Sequence, residues 1–265
     1  MFEKSYYLLQ KEAYLIHSCL AKGLTDFKKA NLGSLGLYYT GLFQLTIGIE
    51  RLTKIIFIVN YMKFNNLKLP NKILEGHKIS ELVNECINIS KHNKYDQEIF
   101  NYGEIKLDII NLLTAFAEKT RYENINKLIN KPRGEEPLAA WGKILNKIYI
   151  QIIPEKNKNN IKSNNNFNEE TSLKSLVFMS DLNDQIINNY NVMMENYEIY
   201  SLSSSYAICE IIEIIFSLVS VIYKLGDDVY YMNTSSEKCV IPYMSDFFQF
   251  ICIDKKHNLK KKRWD

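Results

Sequence analysis

The sequence predicts an all-α fold, an antiparallel helical bundle with additional long helices in its C-terminal half. Apolar residues recur every three to four positions through most of the chain, as expected of helices that bury one face. Only 10 Gly and 5 Pro interrupt 265 residues, and the helix-favouring Leu, Lys and Glu are frequent. With 46% hydrophobic residues, the chain can bury a core of globular size.

The first half of the chain predicts successive helices with short connections. Their expected positions are residues 2–21, 37–64, a helix that starts within 76–82, then 97–119 and 137–153. Gly23 is expected to end the first helix. In the second, Gly41 and Gly48 would allow a neighbouring helix to approach closely, either within the chain or across a subunit interface. Glu50 and Lys54 have the favourable order for an ion pair along that helix.

An Asn-rich stretch separates the two halves. Residues 156–170 hold seven Asn and only two strong hydrophobes, a composition typical of a mobile connection. The predicted organisation is therefore a helical bundle at 1–153, a flexible connection at 154–170, and C-terminal helices at 171–265 that pack on the bundle. The connection is either a domain boundary or an excursion within one bundle. Further helices are expected at 171–200, 206–225 and 243–253, with a turn at 201–205 and a helix end at 226–228.

Charge and cysteine content bound the function. The net charge of +3 does not by itself indicate a nucleic-acid partner. Residues 254–265 carry six Lys or Arg and two Asp, which gives +4 and leaves −1 for the remainder. This basic tail is either a solvated end or an electrostatic contact to RNA. Five scattered cysteines, no signal sequence and no apolar run near the ~20 residues of a membrane span predict a cytoplasmic protein with reduced thiols and no membrane anchor.

The stretch of most chemical interest is residues 105–126. An apolar helical face leads into a polar cluster that contains Arg121, Tyr122, Asn124 and Asn126. A planar guanidinium beside amides suits phosphate or nucleotide recognition. The alternative, which the sequence alone favours, is that Arg121 caps the helix C-terminus and interacts with its dipole. On an unbroken helix Asn124 lies about 60° from Arg121 and Asn126 about 140° away, so the first pair would share a face.

Established catalytic motifs are missing from the sequence. It has no Gly-rich phosphate loop, no nucleophile elbow and no metal-ligand spacing among its four histidines. We therefore expect no metal and no cofactor. His77 stands at a predicted helix start, where capping is its expected role.

Three segments nevertheless resemble the HEPN superfamily. They are Gly-Ile-Glu-Arg-Leu-Thr-Lys at 48–54, Gly-His-Lys-Ile-Ser-Glu-Leu at 76–82, and a helix that leads into Thr-Arg-Tyr-Glu-Asn-Ile-Asn at 120–126. HEPN domains are small, all-helical, commonly dimeric, and frequent in prokaryotic toxin and phage-defence systems. Many are metal-independent ribonucleases with an Arg, four to six intervening residues and then a His. These residues converge with those of a second subunit on a cleft at the dimer interface. The similarity covers about residues 2–153.

The resemblance implies roles for individual residues. Arg121 would hold and neutralise the scissile phosphate. Asn126 stands where the family has its histidine, and an amide orients a hydroxyl or phosphate but cannot shuttle a proton near neutral pH. The expected site residues are Arg121, Asn124 and Asn126 for catalysis, with Tyr122, Glu50, Lys54 and His77 for substrate binding.

The predicted function is a HEPN-like metal-independent endoribonuclease or RNase-derived effector of a toxin or antiviral defence system. It would act on RNA as a homodimer, with an antitoxin or other partner protein. The alternative, which the missing histidine favours, is a catalytically inactive module that binds RNA, a nucleotide or a partner protein. A third hypothesis is a helical scaffold in which Arg121 and the basic tail are surface features.

Overall fold

The computed structural model describes residues 2–161, 176–233 and 238–264, with backbone alone at 176–178, and confirms the all-α prediction. The helices are α1 (Lys4–Lys29), α2 (Gly36–Phe64), α3 (Ile79–His92), α4 (Glu104–Glu118), α5 (Glu123–Leu128), α6 (Pro137–Gln151), α7 (155–161 as described), α8 (Tyr190–Met232) and α9 (Lys255–Lys260). Short 3₁₀ turns lie at Leu32–Ser34, Glu98–Phe100, Thr120–Tyr122 and Met244–Phe247. In the described ranges, the only sheet is an antiparallel hairpin of β1 (Leu176–Ser180) and β2 (Ile186–Asn189).

Glycines bring α1 and α2 together as an antiparallel pair. A Cβ built on Gly41 would lie 2.6 Å from the Phe27 ring, and one on Gly48 would lie 2.7 Å from Leu20. The neighbour that these glycines admit is therefore α1 of the same chain. Gly23 does not end α1, which continues to Lys29, because Gly23 faces Leu45 of α2. Its missing side chain serves close packing rather than a helix end.

The long helix α8 runs through the middle of the bundle. It packs on α1, α2, α3, α4 and α6. By length and composition it could cross a membrane, but 72% of its most apolar window is buried in the bundle. The predicted turn at 201–205 was wrong, since the serines lie inside α8 and Ser205 donates its hydroxyl to the carbonyl of Ser201. The predicted end at 226–228 was also wrong, because Gly226 packs against Met244 and the helix continues to Met232.

The hairpin corrects the helix predicted at 171–200. Asp181 accepts hydrogen bonds from the backbone N–H groups of Asn183 and Gln185, and Asp184 has a φ of 61°, so the chain turns between β1 and β2. The helix begins only at Tyr190, where Asn189 caps it. Residues 171–175, and 162–170 of the Asn-rich stretch, lie outside the described residues.

Two further predicted helices are shorter than expected. The helix expected at 97–119 begins at Glu104, after a 3₁₀ turn. The one expected at 243–253 is only the turn Met244–Phe247, and α9 follows it.

One continuous hydrophobic core extends from Leu9 to Trp264. The Trp264 side chain is 3% exposed, and its backbone N–H donates to Thr25 Oγ1 at 3.0 Å. Lys28 Nζ donates to the carbonyl of Leu259 at 3.0 Å. The C-terminal segment therefore packs on α1, with most of its basic side chains exposed.

Candidate functional site

A break in the helix sets the position of Arg121. The helix α4 ends at Glu118, a 3₁₀ turn covers Thr120–Tyr122, and α5 begins at Glu123. The break at Lys119 lies before Arg121, and Asn124 is not among the residues that line the cavity beside Arg121. Instead, Asn124 Nδ2 donates to the hydroxyl of Tyr39 on α2 at 2.6 Å. Asn124 therefore supports the chain turn rather than the cavity beside Arg121.

That cavity, which we call the Arg121 cleft, has a volume of about 790 Å³. The start of α3, the end of α4 and the α5 region form its walls. Its lining includes His77, Lys119, Arg121, Tyr122, Asn126 and Arg133. An adjoining cavity of about 270 Å³ is lined by Glu50, His77 and Arg121 among others. His77 and Arg121 line both cavities, although they lie far apart in the sequence.

Glu50 holds the imidazole of His77. His77 Nδ1 lies 3.0 and 3.1 Å from the two carboxylate oxygens of Glu50, and Lys54 Nζ donates to the same carboxylate at 2.6 Å. The prediction that His77 caps α3 was wrong, because Lys78 occupies the N-cap and the cap has no side-chain hydrogen bond. With Nδ1 engaged by Glu50, Nε2 is the ring nitrogen left for a substrate.

The carboxylate of Glu50 is kept ionised. Burial raises its pKa, but the hydrogen bonds from Lys54 and His77 outweigh burial, so the pKa lies below its ordinary value. An ionised carboxylate beside an imidazole fixes its orientation and stabilises the protonated ring. Glu50 therefore orients His77, and Lys54 acts on the cleft only through Glu50.

Arg121 both caps a helix and lines the cleft. Its Nη2 donates to the carbonyl of Ala117, one turn earlier on α4, as the capping hypothesis expected. A guanidinium has five N–H donors, so this bond leaves donors for a phosphate. Within the described ranges, neither Arg121 nor its neighbours Lys119 and Arg133 form an ion pair, whereas Lys78 is bound to Glu81 at 2.9 Å.

Two buried glutamates hold the turn that carries Arg121. Glu123, 1% exposed, accepts the backbone N–H of Arg133 at 3.0 Å and makes a long contact of 3.5 Å to Asn126 Nδ2. Glu136 accepts the hydroxyl of Tyr39 and caps α6 through Ala139 N at 2.8 Å. Burial, then the bond to Glu136, raises the pKa of Tyr39 and keeps its hydroxyl protonated.

Sequence reasoning named five of the residues that line these cavities and missed others. It named Glu50, His77, Arg121, Tyr122 and Asn126. It missed Lys119 and Arg133. Their signal was local charge, since residues 118–134 hold five Lys or Arg and two Glu.

A separate cavity, of about 350 Å³, lies between α4 and α6, and we call it the α4–α6 cavity. Its lysines are already paired. Lys147 Nζ lies 2.7 Å from Glu104 and 2.6 Å from Asp108, and Lys143 Nζ lies 2.5 Å from Glu135. These lysines offer less charge to an anionic ligand than the cations of the Arg121 cleft.

In the part of the chain that the structure describes, no three His, Cys, Asp or Glu side chains are close enough to hold a metal ion. Comparisons with protein-family models, with curated proteins and with solved structures gave no significant match. The case for a function therefore depends on the chemistry of the Arg121 cleft.

Proposed function

We propose that the Arg121 cleft is the site of a metal-independent endoribonuclease. The observation that carries this proposal is that His77, oriented by Glu50, lines the same two cavities as Arg121. A guanidinium that neutralises a phosphodiester and an imidazole that moves a proton are the groups that RNA transesterification requires. His77 would take the role that Asn126 cannot perform.

The reaction would begin with removal of the ribose 2′-OH proton by His77 Nε2. The O2′–P bond forms, the P–O5′ bond breaks, and the protonated histidine returns its proton to the leaving O5′. The products are a 2′,3′-cyclic phosphate and a 5′-hydroxyl end. Glu50 stabilises the protonated imidazole, and Arg121 neutralises the charge that develops on the phosphoryl oxygens. Lys119 and Arg133 would hold neighbouring phosphates.

The HEPN resemblance supports the same role for Arg121. A homodimer remains part of that proposal, but the chemistry does not require one, since Arg121 and His77 come from one chain. Light scattering of the purified protein tests the stoichiometry. For an effector of a toxin or defence system, expression of the wild-type chain would arrest growth and expression of Arg121→Ala would not.

The test is cleavage of total RNA in the presence of EDTA. We expect the wild-type chain to cleave, and Arg121→Ala and His77→Ala to lose cleavage. Arg263→Ala and His92→Ala are matched controls, because both side chains are exposed and neither lines the cleft. Cleavage that needs a metal, or that survives both cleft substitutions, would overturn the proposal.

A second candidate is RNA or nucleotide binding without cleavage. The amide of Asn126 at the family's histidine position favours it, as does the bond from Arg121 to the carbonyl of Ala117. A gel shift that depends on Arg121, together with intact RNA after long incubation, would establish this function in place of the first.

A further inference from the structure

A row of exposed apolar side chains adjoins the Arg121 cleft. Tyr122, Ile125, Leu128 and Ile129 are 59, 58, 83 and 58% exposed, and we call them the α5 ridge. Ile125, Leu128 and Ile129 are spaced three and four apart and share one face of the chain there. Single exposed hydrophobes are ordinary, but four within eight consecutive residues form a patch of the kind that marks an interaction site.

The surroundings of the ridge are basic. Residues 118–134 contain five Lys or Arg against Glu118 and Glu123, a net charge of +3. Glu123 is buried and bound to the backbone of Arg133, so Glu118 is the one exposed acid in this segment. Lys127 makes a 3.5 Å contact with Asp184, and Lys78 at the cleft is paired with Glu81. Lys119, Arg121 and Arg133, which also line the cleft, have no carboxylate partner among the described residues. These basic side chains would therefore attract an acidic molecule to the ridge.

The basic charge and the apolar surface together indicate which kind of molecule would bind the ridge. A second copy docked through the ridge would bring like charges together, which is unfavourable, so a homodimer would form through another face. RNA would satisfy the cations and could stack one base on Tyr122, but Ile125, Leu128 and Ile129 offer no ring and would stay uncovered. A flat lipid surface would cover the ridge but could not enter the concave cleft that Tyr122 and Ile125 line. An acidic protein segment with apolar side chains could both cover the ridge and place its carboxylates beside the cations of the cleft.

We propose that the α5 ridge docks an acidic segment of a partner protein that carries apolar side chains at helical spacing. Its apolar face covers Leu128 and Ile129, and its carboxylates meet Lys119, Arg121 and Arg133. The binding stands whether or not the cleft cleaves RNA. One consequence rests on the proposed function, namely that the docked segment excludes RNA and inhibits cleavage.

The test titrates the full-length chain, without RNA, against a labelled helical peptide with Leu on one face and Glu on the other. Two control peptides replace all Leu by Ser or all Glu by Lys. We expect the first peptide to bind and both controls to bind at least about tenfold more weakly. Equal binding of either control would overturn the proposal.

Variants locate the binding surface. Leu128→Ser and Ile129→Ser should each weaken the peptide about tenfold or more, and Arg133→Ala should weaken it and reduce its salt dependence. Ile150→Ser is the matched control, because Ile150 on α6 is 71% exposed and far from the ridge in sequence. Circular dichroism checks that each variant is folded.

Three results would contradict the proposal. The first is that Leu128→Ser binds the peptide as tightly as wild type. The second is that the wild-type chain is a dimer by light scattering and Leu128→Ser is a monomer. The third is that the wild-type chain binds anionic vesicles and Leu128→Ser does not. Loss of RNA cleavage by Arg121→Ala is measured separately, so failure of the docking proposal and failure of the nuclease proposal are distinguishable.

Discussion

The Arg121 cleft and the α4–α6 cavity lie on either side of the turn at Thr120 and Arg121, and both are lined by basic side chains. In the α4–α6 cavity, Lys143 and Lys147 are paired with carboxylates at 2.5 to 2.7 Å. In the Arg121 cleft, the cations at 119, 121 and 133 have no carboxylate partner among the described residues. A cavity with basic residues is therefore not sufficient to indicate an anion site. Charge that the fold leaves uncompensated, beside an oriented histidine, distinguishes one cavity from the other.

The largest expected contrast is in RNA cleavage. Arg121→Ala should lower the single-turnover rate by about 100-fold or more, the usual cost of removing a group that stabilises developing charge. Lys147→Ala, in the α4–α6 cavity, should leave the rate unchanged. Equal effects of the two substitutions would remove the distinction between the cavities.

A smaller effect is expected for the carboxylate behind His77. Glu50→Gln should lower the cleavage rate by about tenfold, the lower end for residues that orient a reactive imidazole. The reason is that the imidazole of His77 loses the carboxylate that holds its Nδ1. Glu104→Gln, which alters a carboxylate at Lys147, is the control. A rate loss that is accompanied by unfolding in circular dichroism would argue that Glu50 only supports the fold.

The salt dependence of RNA binding tests which side chains contact phosphates. Arg133→Ala should weaken binding of a single-stranded RNA and reduce the slope of log affinity against log salt by about 0.7, the value for one lost contact. Lys143→Ala should leave the slope unchanged, since Lys143 is bound to Glu135. Fluorescence anisotropy over a range of salt concentrations measures both, and an unchanged slope in Arg133→Ala would exclude Arg133 from the binding surface.

The smallest expected effect is on stability. The pKa of Glu50 is lower in the folded chain than its ordinary value, so its charge stabilises the fold. The advantage of wild type over Glu50→Gln should be complete above the ordinary pKa of a glutamate and disappear as pH falls through the lower folded-state pKa. We expect the difference in the free energy of unfolding to be at most about 1 kcal/mol, because Glu50 and its partner His77 are partly exposed. Urea unfolding at several pH values measures this difference. A stability advantage of wild type that grows as the pH falls would contradict the prediction.

Periodicity predicted the helices of the first half because each buries one continuous face. It failed at β1 and β2, since a short apolar run such as Leu176–Ser180 has the same composition in a strand and in a buried helix. It also failed at the serines near 201 and at Gly226, which are turn residues by composition but pack inside α8.

The sequence predicted only the part of the site that is local in the chain. Arg121, Tyr122 and Asn126 lie within six consecutive residues, so a local pattern identified them. Two features were not visible in the sequence, namely the break after Glu118 and the hydrogen bond from Asn124 to Tyr39. The bond from His77 to Glu50 joins residues 27 positions apart, and such tertiary contacts have no local signature.

The most direct test of the central claim uses a defined single-stranded RNA in EDTA, with and without a single 2′-deoxy substitution at the cleaved position. The account predicts that the wild-type chain leaves a 2′,3′-cyclic phosphate, that the deoxy substrate is not cleaved there, and that His77→Ala abolishes cleavage while His92→Ala does not. Cleavage of the deoxy position, or an unchanged rate in His77→Ala, would contradict it.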